Sequence, residues 1–172
     1  MTPVVLALSQ LLVLVLLVIS AVAGWTHSGS LAAHMYWGMS TALLALLAHT
    51  FTLFFFIGTS KAIRLECRGH AVAQPFVDES NAYKKILAGR TQLANVVFIL
   101  VPVLGAAVYS GRLARPWHQA GFWLALCVQL WVGYTELKLL GLNNVLLARV
   151  ADWKASGGLS PVQSPPFGPQ TG

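Results

Sequence analysis

The sequence predicts an all-α fold, a four-helix transmembrane bundle running up-down-up-down, and three observations carry that expectation. Of its 172 residues, 56% are hydrophobic and 9% are charged, where soluble domains carry about 25% charged residues. The apolar residues gather in long runs instead of recurring at amphipathic spacing, so they are suited to face lipid. The basic residues sit beside those runs and rarely within them, which is how loop charge sets membrane orientation. An ordinary soluble globular domain is excluded, and residues 1–150 read as one membrane domain.

Val4 to Ala23 contains no charge and only Ser9, Gln10 and Ser20 as polar residues, about the 20 residues a helix needs to cross the hydrocarbon. Ala21-Val22-Ala23 ahead of Gly24 also has the form of a signal-peptidase site, but Met1 to Pro3 supply no basic leader. The run is read as a retained first span, with a cleaved signal peptide as the alternative. Leu31 to Gly58 forms the second span, closed by Lys61 and Arg64. Leu93 to Tyr109 forms the third, with Pro102 as a kink that neighbouring helices can accommodate. His118 to Leu140 forms the fourth, and its helix can run on past Asn143, Asn144 and Arg149. Trp25, Tyr36, Trp37, Tyr109 and Trp117 lie near the proposed span ends, as an interfacial aromatic belt requires.

Lys61, Arg64, Arg68, Lys84, Lys85 and Arg90 crowd between the second and third spans against Glu66, Asp78 and Glu79. That excess places the loop in the cytoplasm, with both termini, and makes a bacterial inner membrane the expected location. Asp78-Glu79-Ser80 ahead of Ala82 to Ala88 is expected to open a short interfacial helix leading into the third span. Gly157 to Gly172 is rich in Gly, Ser, Pro and Gln and is expected to be a disordered tail. The net charge of +6 forms no stripe interleaved with aromatics, so the expected partners are the lipid bilayer and other membrane subunits or a second copy, with no nucleic acid. Cys67 and Cys127 make no metal motif and are not placed to pair.

Ionisable groups inside a span are costly and mark function by default. That narrows the candidate site to His34, His49, His118 and Glu136, with Lys138 nearby. If the second and fourth spans run in the same direction, His34 and His118 share a depth near the outer surface. His49 then lies about 22 Å below His34, and Glu136 about 27 Å below His118, at 1.5 Å per residue. The faces that carry them are small or polar: His34, Gly38, Thr41, Ala45, Ala48 and Thr52 on one helix, His118, Gly121, Ala125, Gln129, Gly133 and Glu136 on the other.

Two readings stand for each pair. His34 and His118, with Gly38 and Gly121 one turn inward, have the residue types for a haem b held by two axial imidazoles, or they are interfacial histidines beside small residues that let helices approach. His49 and Glu136 suit a quinone headgroup, a proton relay or a metal, or they are a buried pair fixing helix register, with Glu136 turned to Lys138 or Arg90 as a further option. One His and one Glu fall short of a zinc site. No phosphate-binding loop, dinucleotide fingerprint or nucleophile elbow is present, and no catalytic residue is nominated. The expected function is a small subunit of a larger membrane complex, holding haem b or a quinone for electron transfer. The alternative is a structural or assembly protein without a cofactor.

The stretch His49-Thr50-Phe51-Thr52-Leu53-Phe54-Phe55-Phe56-Ile57-Gly58-Thr59-Ser60-Lys61-Ala62-Ile63 resembles the pattern His-x-x-Thr-x-Phe-x-Phe-Ile-Gly-Thr-x-Lys-x-Ile of small uncharacterised four-span bacterial membrane proteins. That resemblance implies a histidine opening the last span and a glutamate within it, corresponding here to His118 and Glu136. It covers the second to fourth spans loosely and transfers no activity. Gly89-Arg90-Thr91 departs from the more basic, proline-bearing entry to the third span in that group. A likeness to the haem-binding anchors of respiratory dehydrogenases concerns architecture alone.

Overall fold

The computed structural model describes residues 3–25 and 31–158. They form four helices, α1 (Pro3–Trp25), α2 (Leu31–Glu66), α3 (Gln74–Tyr109) and α4 (Arg115–Ala155), with one 3-10 turn, Ala71–Ala73, ahead of α3. Among the described residues the chain is all-helical, as an all-α bundle requires. The expected tail lies outside the described residues beyond Gly158.

Two helices differ from expectation in length, while α4 runs on past Leu140 to Ala155 as its sequence allowed. α2 continues past Gly58 to Glu66. The expected interfacial helix at Ala82 to Ala88 is not a separate element. Nothing in Lys84 to Thr91 breaks a helix, so α3 runs unbroken through it from Gln74, with Pro75 in the first turn where its missing N–H costs nothing. Pro102 sits inside α3 without ending it. At 36 to 41 residues these helices are roughly 54 to 62 Å long, well beyond ~30 Å of hydrocarbon.

α1, α2 and the segment Ala71–Tyr109 are long and apolar enough to cross a membrane. Their apolar windows bury only 33%, 33% and 22% of their residues, so most of that apolar surface faces outward. α4 is not among them, because Gln119, Gln129, Glu136 and Lys138 interrupt its apolar stretch.

Consecutive helices pack side by side, and α4 closes more thinly on α1. The interior is layered. Val13, Leu17, Ala45, Ala48, Ala94, Val97, Phe98, Ala125, Val128 and Val132 form the middle core. Leu6, Phe56, Leu87, Leu139 and Leu140 form a second layer. Ile63, Phe76, Val77, Leu146, Val150 and Trp153 form a third, at the end that carries the basic residues. Small side chains at Ala45, Ala48, Ala94 and Ala125 let the helices approach closely in the middle. Hydroxyls there are satisfied within their own helices, Thr41 donating to Trp37 O at 2.7 Å and Thr52 to Ala48 O at 2.9 Å.

Both ends of the α3–α4 pair are closed by the same device. Gly111, at φ 71°, lets Arg112 N donate to Ala107 O while Gly111 N donates to Val108 O, capping the last carbonyls of α3. Gly157, at φ 74°, does the same for α4 through Trp153 O and Lys154 O.

Candidate functional site

Between the middle core and the Leu6 layer every helix contributes one or two polar side chains to a single buried cluster. α1 supplies Gln10, α2 His49, α3 Thr91, and α4 both Gln129 and Glu136. His49, Thr91 and Glu136 are 0% exposed and the two glutamines no more than 4%. Gln129 and Glu136 are seven residues apart, two turns of one helix, and therefore project from one face of α4.

Their hydrogen bonds close into a ring. His49 Nδ1 lies 2.7 Å from Glu136 Oε1. His49 Nε2 donates to Gln129 Oε1 at 3.2 Å, and Gln129 Nε2 donates to Gln10 Oε1 at 2.9 Å. Gln10 Nε2 then donates to Glu136 Oε2, completing the circuit. Thr91 Oγ1 donates to Glu136 Oε1 at 3.4 Å from the third helix.

The two amides fix the sense of the ring. Because Gln10 presents its NH₂ to the carboxyl, its carbonyl faces Gln129, and the Gln129 carbonyl faces His49, so Nε2 must carry a hydrogen. The proton between His49 Nδ1 and Glu136 Oε1 is under no such constraint. With it on oxygen, both groups are neutral; with it on nitrogen, an imidazolium faces a carboxylate. Every other hydrogen bond is the same in both forms, so the proton can cross the 2.7 Å gap without any neighbour turning. A buried charge is expensive unless paired and hydrogen-bonded, and this ring satisfies both forms.

The structure thus brings His49 and Glu136 together. It does not bring Glu136 to Lys138, which is exposed, or to Arg90, which donates to Thr135 Oγ1 and covers the Trp131 ring at 4.9 Å. Asn143 is buried one layer away beside Thr59, outside the ring. Gln10 and Thr91 belong to the cluster, although sequence reasoning did not nominate them. The available signal was that a lone carboxamide in the apolar first span must find a partner in the interior.

The second pair is also adjacent. The His34 and His118 rings lie 6.0 Å apart, nearly perpendicular at 80°. His34 Nδ1 donates to Ser20 O at 3.2 Å, and His118 Nδ1 is buried without a hydrogen-bond partner among the described residues. A haem b does not fit these residues. Gly24 and Gly105 are occupied by the imidazoles themselves: an added Cβ would lie 2.7 Å from His34 Cε1 and 3.1 Å from His118 Cε1. Gly121, expected to clear space for a macrocycle, is packed against Leu104, whose Cδ1 would be 2.7 Å from a Cβ there. The nearby cavity, lined by Ser20, Gly38, Thr41, Phe98 and Ala125 among others, holds about 40 Å³. That is room for a water and far too little for a porphyrin. The glycines serve close packing. A quinone headgroup likewise finds no free partner at His49 and Glu136, since their polar atoms are taken up by the ring.

Among the described residues no group of three or more His, Cys, Asp or Glu side chains is placed to hold a metal ion. No family model, curated protein or solved structure matches the chain.

Proposed function

We propose that the chain is a small four-span integral membrane subunit of a bacterial inner membrane, and that the His49–Glu136 pair is its proton-exchange centre. The observation that carries this reading is the closed, wholly buried ring, which stays hydrogen-bonded with the shared proton on either partner. The layering supports helices alternating in direction: α1 passes from Leu6 to Val13 between layers as α2 passes from Phe56 to Ala48, α3 from Leu87 to Ala94, and α4 from Leu139 to Val132. Lys and Arg excess at the Lys61–Arg90 end supports cytoplasmic termini. Toward the other end, the cavity walled by Ser20 and Thr41 lies between the ring and the histidine pair, giving polar groups along the bundle axis. Such a centre passes protons for a larger membrane complex or for an assembly of copies. The small cavity beside His34 and His118 and the closed ring at His49 and Glu136 do not favour haem b or a quinone as the carrier of electrons.

The second reading is a scaffold subunit in which the ring only fixes helix register. The observation in its favour is the completeness of the ring, which leaves no polar atom of Glu136 turned toward a ligand.

Isolation of the native complex in mild detergent tests both. A proton-exchange centre predicts that Glu136→Gln and His49→Ala each abolish the turnover of the copurifying complex, and that the double variant costs little more than either. A scaffold predicts loss of stability with turnover intact. Reporters fused after Ser60 should be cytoplasmic and one in the Gly111 turn external; a cytoplasmic Gly111 reporter overturns the topology.

A further inference from the structure

The basic end of the bundle distributes its charges unevenly. Glu66 is taken by Lys154, and Glu79 by Arg149 at 2.9 Å. Asp78 accepts from Gln74 at 2.9 Å. Arg64 and Lys84 turn instead onto one neutral oxygen: Arg64 Nη2 donates to Asn81 Oδ1 at 3.3 Å and Lys84 Nζ donates to it at 3.1 Å. Ser60 Oγ adds a third donor to that atom at 3.3 Å. A guanidinium carries five N–H donors and an ammonium three, so most of theirs remain unused. Two cationic heads gathered on an uncharged amide repel each other until an anion joins them.

Arg64 and Asn81 form one wall of an open hollow of about 630 Å³, and Arg68, His70 and Gln74 stand on the others. The hollow therefore combines cationic and amide donors, beginning about two turns beyond the apolar run that ends near Ile57.

We infer that this hollow is a binding site for the phosphate of an anionic phospholipid headgroup. Arg64 on the lining of the hollow and Lys84 at its edge supply the charge, the Asn81 oxygen holds the two together, and Arg68 and His70 add donors, while the acyl chains run back toward the apolar surface that ends near Ile57. The inference rests on the membrane-spanning reading and is independent of the proton-exchange reading.

Native mass spectrometry of the protein, released from bilayers holding phosphatidylglycerol and phosphatidylcholine in equal amounts, is the test. Phosphatidylglycerol should be retained in preference. Arg64→Gln with Lys84→Gln should weaken that retention roughly thirtyfold, from the contribution of each basic residue at a charged surface. Lys61→Gln with Lys85→Gln, exposed cations not on the lining of the hollow, should weaken it far less if the hollow is the site. Equal losses in the two double variants, or no loss in the first, overturn the site. Should the first variant lose helicity, Arg68→Gln, at an exposed position on the rim, tests the hollow alone by the same retention ratio. Inorganic phosphate added to lipid-free protein distinguishes the source. If it raises the melting temperature in an Arg64- and Lys84-dependent way while phosphatidylglycerol shows no preference, the ligand is a soluble phosphate and the lipid assignment falls.

Discussion

The middle of the bundle and its basic end solve opposite problems with the same four helices. In the middle the outer surface is apolar, with Leu12, Val15, Leu43, Phe51 and Leu130 exposed, while the interior holds small residues and the Gln10–His49–Gln129–Glu136 ring. At the basic end the interior is large and apolar, with Phe76, Val150 and Trp153 against Ile63, and the surface carries the Arg149–Glu79 and Lys154–Glu66 pairs. Where lipid is the solvent, burying Leu gains little, and close packing and interhelical hydrogen bonds hold the helices. Where water is the solvent, apolar burial does that work. On the membrane-spanning reading, the switch falls between Phe56 and Ile63 on α2 and between Leu140 and Leu146 on α4.

The contrast is sharpened by substitutions on each side. Glu136→Ala should have the largest effect, destabilising the protein in bilayer-mimicking micelles by roughly 3 to 5 kcal/mol, because it strands the donors of His49 and Gln10. His49→Ala should cost nearly as much, and a double-mutant cycle should show strong coupling. Trp153→Ala should follow at about 3 kcal/mol, since the indole packs edge-on to Phe76 at 6.2 Å and His70 at 5.3 Å. Unlike Glu136→Ala, it should leave the buried carboxyl's infrared signature unchanged. An additive His49/Glu136 cycle alongside a neutral Trp153→Ala would erase the distinction between the two regions.

The sequence made the middle legible because of its cost rules. Three histidines and one glutamate on small-residue faces led to the neighbours His34/His118 and His49/Glu136 across α2 and α4, since depth follows from 1.5 Å per residue once direction is fixed. Thr91 was not legible, because which face α3 turns inward depends on packing that its periodicity does not encode; Gln10 had to turn inward, but nothing in the sequence named its partners. The basic end was read as a loop with a short helix. Its charges suggested solvent, but Phe76, Val77, Val150 and Trp153 are spaced to pack only once α2, α3 and α4 project together beyond the apolar layer. Gly38 and Gly121 suggested a macrocycle, but Leu104 packs against Gly121 and Gly38 lines a cavity of only about 40 Å³.

Smaller effects belong to the surface of the basic end. Glu79 also accepts the Tyr83 hydroxyl, and burial together with that carboxylate holds the phenol above its usual range. Arg149→Ala should cost about 1 kcal/mol, measured by chemical unfolding, because its pair is partly buried. Lys154→Ala should cost no more than a few tenths, as a pair open to water contributes little. Cys67 gives a kinetic counterpart. Burial, and secondarily Glu66, push its thiol up, so the reactive thiolate is scarce at neutral pH. Its alkylation in the folded protein should be slow and keep accelerating as pH rises above 9, and unfolding should speed it sharply. A fast reaction at pH 7 would show that this end is not packed as described.

The central claim is that Glu136 shares a movable proton with His49. Infrared spectra of the protein in bilayers, recorded in H₂O and in D₂O, test it most directly. The proton-exchange reading predicts a hydrogen-bonded carboxyl band that shifts on deuteration, vanishes in Glu136→Gln, and shifts in His49→Ala. Spectra of the wild type and Glu136→Gln that superimpose throughout would contradict it, leaving the ring a fixed brace between helices.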